Sequence, residues 1–563
     1  MRTGEGFTGA MTQTMRVADA IGGVLSEIGL TQIFGVVGSG NFRVTNALLR
    51  GGAEFTAARH EMGAAAMADA YARVTGDVAA VSLHQGCGLT NAMTGIAEAA
   101  KCHTPVLVLA ADTARGDVTS NFHIDQDAAV TAIGATAMRI HSADSAVADA
   151  ARAYRVAQVE RKTVVLSMPL DVQEERIAYP AARPATELSV PRPRVLPGDV
   201  DSLAGLLSEA ARPLIVGGRG SRSASHEIRA LAAQAGALLI ASGGGRGVFE
   251  GDEWALDIMG GFATEGAAAL VREADLVVAF GAALNTWTTR DGALTDGTRL
   301  VQIDDRAEAI GKHRLVDLGI VGDAGAVARA TREALAARGQ ARTGYRTPQT
   351  AERVTASRYW KDQPLEEVDE PGFVDPAELT NEIDALAPME RTVVVDGGNV
   401  NCYPGAHLRV PDDDGFVLPL SFQAIGMGLA SAIGAAVARP DRMTVLGVGD
   451  GSLLMAAAEL ETAARLGLGM LIVVYDDAAY GAEVHLFPDA TPREQEIVRF
   501  PDVDIAAIAR GYGCEGVVVR SMDDLEPVRA WIASDRARPM VVDAKISGRP
   551  SWMMASGHSP DQA

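Results

Sequence analysis

The chain has 563 residues, 48 % of them hydrophobic, and a formal charge of −22. That length allows three or four domains with ample core, and no apolar run is long enough for a membrane span. The acidic balance argues against nucleic acid or an anionic membrane as partner. Four cysteines, Cys87, Cys102, Cys402 and Cys514, lie apart without metal-ligand spacing, as expected of free thiols in the cytoplasm. Residues 1–11 have neither a basic start nor an apolar core, so we expect a loose extension and no signal peptide.

Residues 12–185 read as the first domain. A helix is expected over 17–27 and buried strands over 32–37, 54–58, 78–83 and 106–110, with an alanine-rich helix over 64–73. This βα alternation predicts a parallel sheet with helices on both faces. The turns after the strands carry Gly38-Ser39-Gly40, Arg59-His60-Glu61 and His84-Gln85-Gly86. Glu61, just before a helix of small residues, reads either as a helix-start carboxylate favoured by the dipole or as a site carboxylate. A lone His84 is more often structural. His123 and Gln126 also fall near a sheet edge.

The proline- and arginine-rich stretch 179–197 predicts an interdomain linker. A second domain, 198–340, alternates again, with strands over 213–216, 237–241, 276–280 and 300–303. Its glycine pattern is too loose to claim a nucleotide. Residues 341–372 are polar and read as a connector.

The third domain, 373–547, opens with a strand over 392–395 and Asp396-Gly397-Gly398-Asn399, and continues through Ser421–Ala430. From Thr444 it reads TVLGVGDGSLLMAAAELETAARLGLGMLIVVYDDAAYG. The run lengths suggest strand, helix, strand in a buried parallel sheet, whose ligands sit beyond the carboxyl ends of the strands. Asp450 and Asp477, 27 residues apart, then meet at one edge. Two hard oxygen ligands beside a glycine-rich phosphate cradle suit Mg²⁺. An ordinary βαβ unit with acidic strand ends is the plainer reading. A polar tail, 548–563, would fold over the site or stay disordered.

Two stretches carry a family resemblance. Gly449-Asp450-Gly451 followed by Asp476-Asp477, and Arg59-His60-Glu61-x-Gly63-Ala64-Ala65-x-x-Ala68-Asp69-x-Tyr71-Ala72-Arg73, resemble the hallmarks of thiamin-diphosphate (ThDP) enzymes. The resemblance covers about residues 14–547. It implies an α/β fold of three doubly wound parallel-sheet domains: pyrimidine-binding, middle Rossmann-like and diphosphate-binding. It implies that Asp450, Asp477 and the Ala479 carbonyl hold Mg²⁺, and that Gly449, Gly451, Ser452, Asn399, Tyr480 and Gly481 line the diphosphate. Ile425 would prop the cofactor's thiazolium against its pyrimidine. Glu61 would hydrogen-bond the pyrimidine N1′, its buried carboxyl having a raised pKa. One departure is Asp476, where the family usually has Asn: an added carboxylate attracts the cation and repels the diphosphate.

The activity implied is loss of carbon dioxide from a 2-oxo acid, then release of an aldehyde or ligation to a second carbonyl, as in acetolactate synthases. Ser39 and His84 resemble benzoylformate decarboxylase, Gln126 resembles acetolactate synthases, and Glu483 matches the offset of a glutamate in pyruvate and indolepyruvate decarboxylases. These four, with Glu61, are the catalytic candidates. The stretch Gly281-Ala-Ala-Leu-Asn-Thr-Trp-Thr departs from the arginine-rich FAD signature of acetolactate synthases, so FAD is not expected. A homodimer or homotetramer follows from the resemblance, with Glu61 and Asp450 of one site on different chains. A scaffold that has lost catalysis is the alternative of another class, favoured only by Asp476-Asp477.

Overall fold

The computed structural model describes residues 14–179, 193–339, 343–365 and 370–555. The expected extension, most of the 179–197 linker and the end of the tail lie outside them. The chain divides into two units, one of residues 1–190 and 419–438, the other of residues 191–418 and 439–563.

In the first unit a short antiparallel pair, β1 (Thr14–Arg16) and β8 (Arg176–Ala178), closes the ends. Between them lie β2 (Gln32–Gly35), β3 (Glu54–Ala57), β4 (Ala79–Leu83), β5 (Val106–Asp112), β6 (Thr136–Arg139) and β7 (Val164–Pro169). They form one parallel sheet in the order β3-β2-β4-β5-β7-β6. Strands β4, β5 and β7 are buried along their whole length, as expected of a sheet covered on both faces.

The second unit holds two sheets. Strands β9 (Pro213–Gly217), β10 (Leu238–Ala241), β11 (Ala255–Ile258), β12 (Leu276–Phe280), β13 (Arg299–Asp304) and β14 (Leu318–Val321) run parallel in the order β11-β10-β9-β12-β13-β14. Strands β15 (Arg391–Val395), β16 (Phe416–Val417), β17 (Met443–Gly449), β18 (Leu471–Asp476), β19 (Glu515–Val519) and β20 (Met540–Lys545) run parallel in the order β16-β15-β17-β18-β20-β19. In chain order the first and third sheets share one strand sequence, 2-1-3-4-6-5, and the middle one is 3-2-1-4-5-6. The three doubly wound parallel sheets are therefore present as expected.

Three elements differ from the sequence reading. The alanine-rich run after β17 is two short helices, Asp450–Met455 and Glu459–Arg465. The expected connector holds a helix, Pro348–Ser357, tied down where Thr264 Oγ1 donates to the Ser357 carbonyl. The third difference lies in the packing of residues 419–438. Residues 419–438 belong with the first unit, where both carboxylate oxygens of the buried Glu98 accept backbone N–H groups, from Ser421 at 3.0 Å and Phe422 at 2.6 Å. Arg73 pairs with the same carboxylate at 2.5 Å and with Asp69 at 2.6 Å. The helix Gly428–Ala438 then packs on Glu61–Thr75.

That crossing is close because Gly434 has no side chain: a Cβ there would lie 2.2 Å from the Met67 carbonyl oxygen. Gly434→Ala must push the helices apart, at a cost of about 1–3 kcal/mol. We expect its thermal unfolding midpoint to fall by several degrees. An unchanged midpoint would contradict the close crossing.

Candidate functional site

The turns after the first, third and fourth strands of the first and third sheets carry most of the residues singled out in the sequence. Those sheets reverse their strand order between the first and third strands, which is where ligands bind in open α/β sheets.

In the first unit Glu61 opens the helix Glu61–Thr75. It is half-buried, against the expectation of a buried carboxyl. Asn91 Nδ2 donates to Glu61 Oε2 at 3.0 Å. Sequence reasoning assigned Asn91 no role. Its place in the first turns of the helix Cys87–Lys101, just after β4, was the available signal.

His84 follows β4 and is half-buried, its ring edge-on to Phe122 at 5.1 Å between centroids. The Gly40 N–H donates to Nδ1 at 3.3 Å, so the neutral ring carries its proton on Nε2. Burial holds the His84 pKa below its ordinary value, opposed by the negative charge of Glu61. Gly38 lies against the same ring: a Cβ on it would be 2.8 Å from His84 Nδ1. Ser39, next in the turn, is exposed. His123 is exposed, with Nδ1 3.2 Å from Thr113 Oγ1.

Gln126 is different. It is fully buried, Nε2 donating to the Ala111 carbonyl and Oε1 accepting from Gly86 N, both at 3.1 Å. Its amide ties the His84 turn to β5. Ile425 is half-buried and belongs, by compactness, to this unit rather than to the one bearing Asp450.

In the second unit Asp450 begins a helix directly after β17 and is buried. Burial, with the charges of Asp476 and Asp477, pushes its pKa up to about 8. Asp477, after β18, is pushed up to about 6 by burial and then by Asp476. Carboxyls so placed disfavour their own ionisation, and a divalent cation between them removes that penalty. Ala479 is buried in a bridge with Arg499, and Ala478, at φ +52°, holds the turn between. Gly481 leaves room for the acid: a Cβ there would be 2.5 Å from Asp477 Oδ2. Among the described residues no three His, Cys, Asp or Glu side chains group so as to hold a metal. The candidate donor set is two carboxylates and a backbone oxygen, which leaves coordination positions for phosphate and water.

Gly449 and Tyr480 are half-buried beside these acids, Ser452 is buried in the Asp450 helix, and Gly451 faces the Tyr480 ring. Glu483 lies in the first turn of Gly481–Leu486, as expected, and is exposed. Asn399 departs from expectation. Its Nδ2 donates to the Arg549 carbonyl and its Oδ1 accepts from Ser551 N, both at 2.9 Å. The C-terminal segment thus occupies the amide that was to meet the diphosphate.

Asp476 also departs. It is 4 % exposed, and Lys545 Nζ donates to its Oδ2 at 2.5 Å. Its Oδ1 accepts from Ala478 N at 3.0 Å. The carboxylate turns into the protein and caps the loop that presents Asp477 and Ala479. Lys545 was missed because it lies 69 residues further on.

A titration follows for His84. In the protein without ligand, NMR of the imidazole should give a midpoint below the ordinary 6.5. Glu61→Gln removes a charge that favours the protonated ring, so the midpoint should fall further. A rise on that substitution would contradict the arrangement.

Sequence models of the thiamine pyrophosphate enzyme N-terminal TPP binding domain, central domain and C-terminal TPP binding domain match residues 15–132, 200–331 and 396–544. The chain is 28 % identical over 574 residues to a sulfoacetaldehyde acetyltransferase of Castellaniella defragrans, covering 96 % of this chain and 93 % of that one. It is 28 % identical over 560 residues to the acetolactate synthase large subunit of Parasynechococcus marenigrum, covering 95 % and 88 %. It is also 28 % identical over 538 residues to a Pseudomonas aeruginosa protein named "Probable 2-ketoarginine decarboxylase AruI", covering 91 % of each.

Proposed function

Because the chain belongs to the thiamine pyrophosphate enzyme family, as a ThDP-dependent enzyme of the lyase or transferase kind, we propose that it uses Mg²⁺ with the cofactor on a 2-oxo acid. Carbon dioxide leaves, and the remaining fragment is released as an aldehyde or joined to a second carbonyl. The printed names of its relatives include a transferase, a synthase and a decarboxylase, which supports keeping both outcomes.

The observation that carries this reading is the pair of carboxyls, Asp450 and Asp477, at the carboxyl edge of the third sheet. Asp450, Asp477 and the Ala479 carbonyl are the residues suited to hold Mg²⁺ and, through it, a diphosphate. Bound ThDP supplies the electron sink that makes decarboxylation possible. The protein's own part is orientation and proton handling. Glu61, braced by Asn91, holds a proton toward N1′ of the cofactor's pyrimidine. His84 offers its Nε2–H as a hydrogen-bond donor, because Gly40 N occupies Nδ1. Glu483, exposed at a helix start, is the second acid–base candidate.

The contact of Gly38 with the His84 ring, with Ser39 alongside, favours a benzoylformate-type decarboxylase as the second reading. The scaffold reading loses support, since Asp476 is drawn into an ion pair with Lys545 and into the cap of its own loop. FAD is not assigned to the middle sheet, a reading supported by the departure of Gly281–Thr288 from the arginine-rich signature of acetolactate synthases. Glu61 and Asp450 completing one site from two copies makes the working unit a homodimer or homotetramer. Localisation in the cytoplasm is consistent with four free cysteines, and no helix among the described residues is long and apolar enough to cross a membrane.

Glu61→Gln should abolish exchange of the thiazolium C2 proton, read by NMR, while leaving circular dichroism unchanged. Near-wild-type exchange would remove Glu61 from its role. A panel of 2-oxo acids should release carbon dioxide with the wild type, and product analysis for aldehyde or hydroxy ketone separates the two outcomes. Silence across the panel would sink the reading.

A further inference from the structure

Lys545, on β20, lies directly across from Asp476, the last residue of β18. The lysine is buried, and four oxygens surround its ammonium: Asp476 Oδ2 at 2.5 Å, Asp502 Oδ1 at 2.7 Å, the Val503 carbonyl at 2.7 Å and, as an ion pair without a hydrogen bond, Asp543 Oδ1 at 3.1 Å. Asp476 and Asp543 are buried beside it, whereas the Asp502 side chain is largely exposed. A buried ion pair costs desolvation and is weak evidence for stability by itself. Its position is what distinguishes this one. The other oxygen of Asp476 accepts from Ala478 N, and Ala478 sits in the left-handed region at φ +52° between the two proposed metal-binding residues, Asp477 and Ala479. Outside this turn, Tyr480 N donates to the Val498 carbonyl and Phe500 N to the Ala478 carbonyl, so the loop is pinned on both sides.

We infer that Lys545 is a positioning residue for the Mg²⁺–diphosphate loop. It pairs with Asp476 and holds that carboxylate inward, so that the turn is capped and less of that charge is turned toward the diphosphate. Where the family usually carries an uncharged Asn, this chain carries a carboxylate met by an ammonium that it shares with Asp502 and Asp543. The inference rests on the proposed use of Asp450 and Asp477 for the metal.

Calorimetry of ThDP binding at saturating Mg²⁺ tests it on the full-length protein. Lys545→Met should weaken ThDP binding about tenfold or more, because a buried carboxylate loses its partner. Asp476→Asn/Lys545→Met leaves Asp543 without its ammonium just as the single variant does, so the difference between the two isolates the Asp476 charge, and the double variant should bind at least about threefold more tightly than Lys545→Met. Affinity unchanged in Lys545→Met, or equally poor in both variants, overturns the inference. Should Lys545→Met not fold, recovery of folding in the double variant supports the pairing and failure of both overturns it. If the wild type itself gives no heat with ThDP and Mg²⁺, the functional reading falls and takes this inference with it; wild-type binding with an indifferent Lys545→Met overturns this inference alone.

Discussion

Removing a carboxylate from water is unfavourable unless donors or cations meet it, and the third sheet buries four at or near one edge: Asp396, Asp450, Asp476 and Asp543. One ammonium, that of Lys545, answers Asp476 and Asp543. Asp450 has no such partner, and with Asp477 it is held above the usual carboxylate range. The division of labour follows. Inner acids are compensated within the chain and shape the turn, while outer acids keep their demand for positive charge. A glycine at 481 preserves the space in which the outer acid sits.

The geometry that brings these acids together comes from strand direction. All six strands of each large sheet are parallel, so every strand ends at the same edge and each following turn is delivered there. Because the first and third sheets share one strand order, their turns occupy equivalent places. In one sheet those places carry Gly38-Ser39 and His84; in the other, Asp396–Asn399 and Asp450. One topology thus presents a histidine at these places in one unit and a buried carboxyl in the other.

Much of this was legible in the chain. The helix Val17–Glu27 and the strand Leu276–Phe280 were read to the residue, because their apolar spacing is unbroken. Glu61, Asp450 and Asp477 were legible because the motif residues flank predictable strand ends. Partnerships across long sequence distances were not. Asp476 and Lys545 are 69 residues apart, and Glu98 and Ser421 are 323 apart, so no local pattern announces either. Gln126 and Asn399 stood at the expected edge, but amides serve structure and ligand equally well, and here both ends of each are used within the chain. The run after β17 has helix-favouring alanines throughout, yet it breaks into two pieces. Tertiary packing overrides so weak a preference.

The excursion of residues 419–438 limits how this polypeptide can be taken apart. Its helix is buried from Gly428 through Ala436, with no polar residue but Ser431 to offer water. A fragment spanning 373–547 would carry that helix without the Glu61–Thr75 surface it lies on, and an uncovered apolar helix promotes self-association. Cutting the chain at the ends of 373–547 would therefore separate residues 419–438 from the helix that covers them.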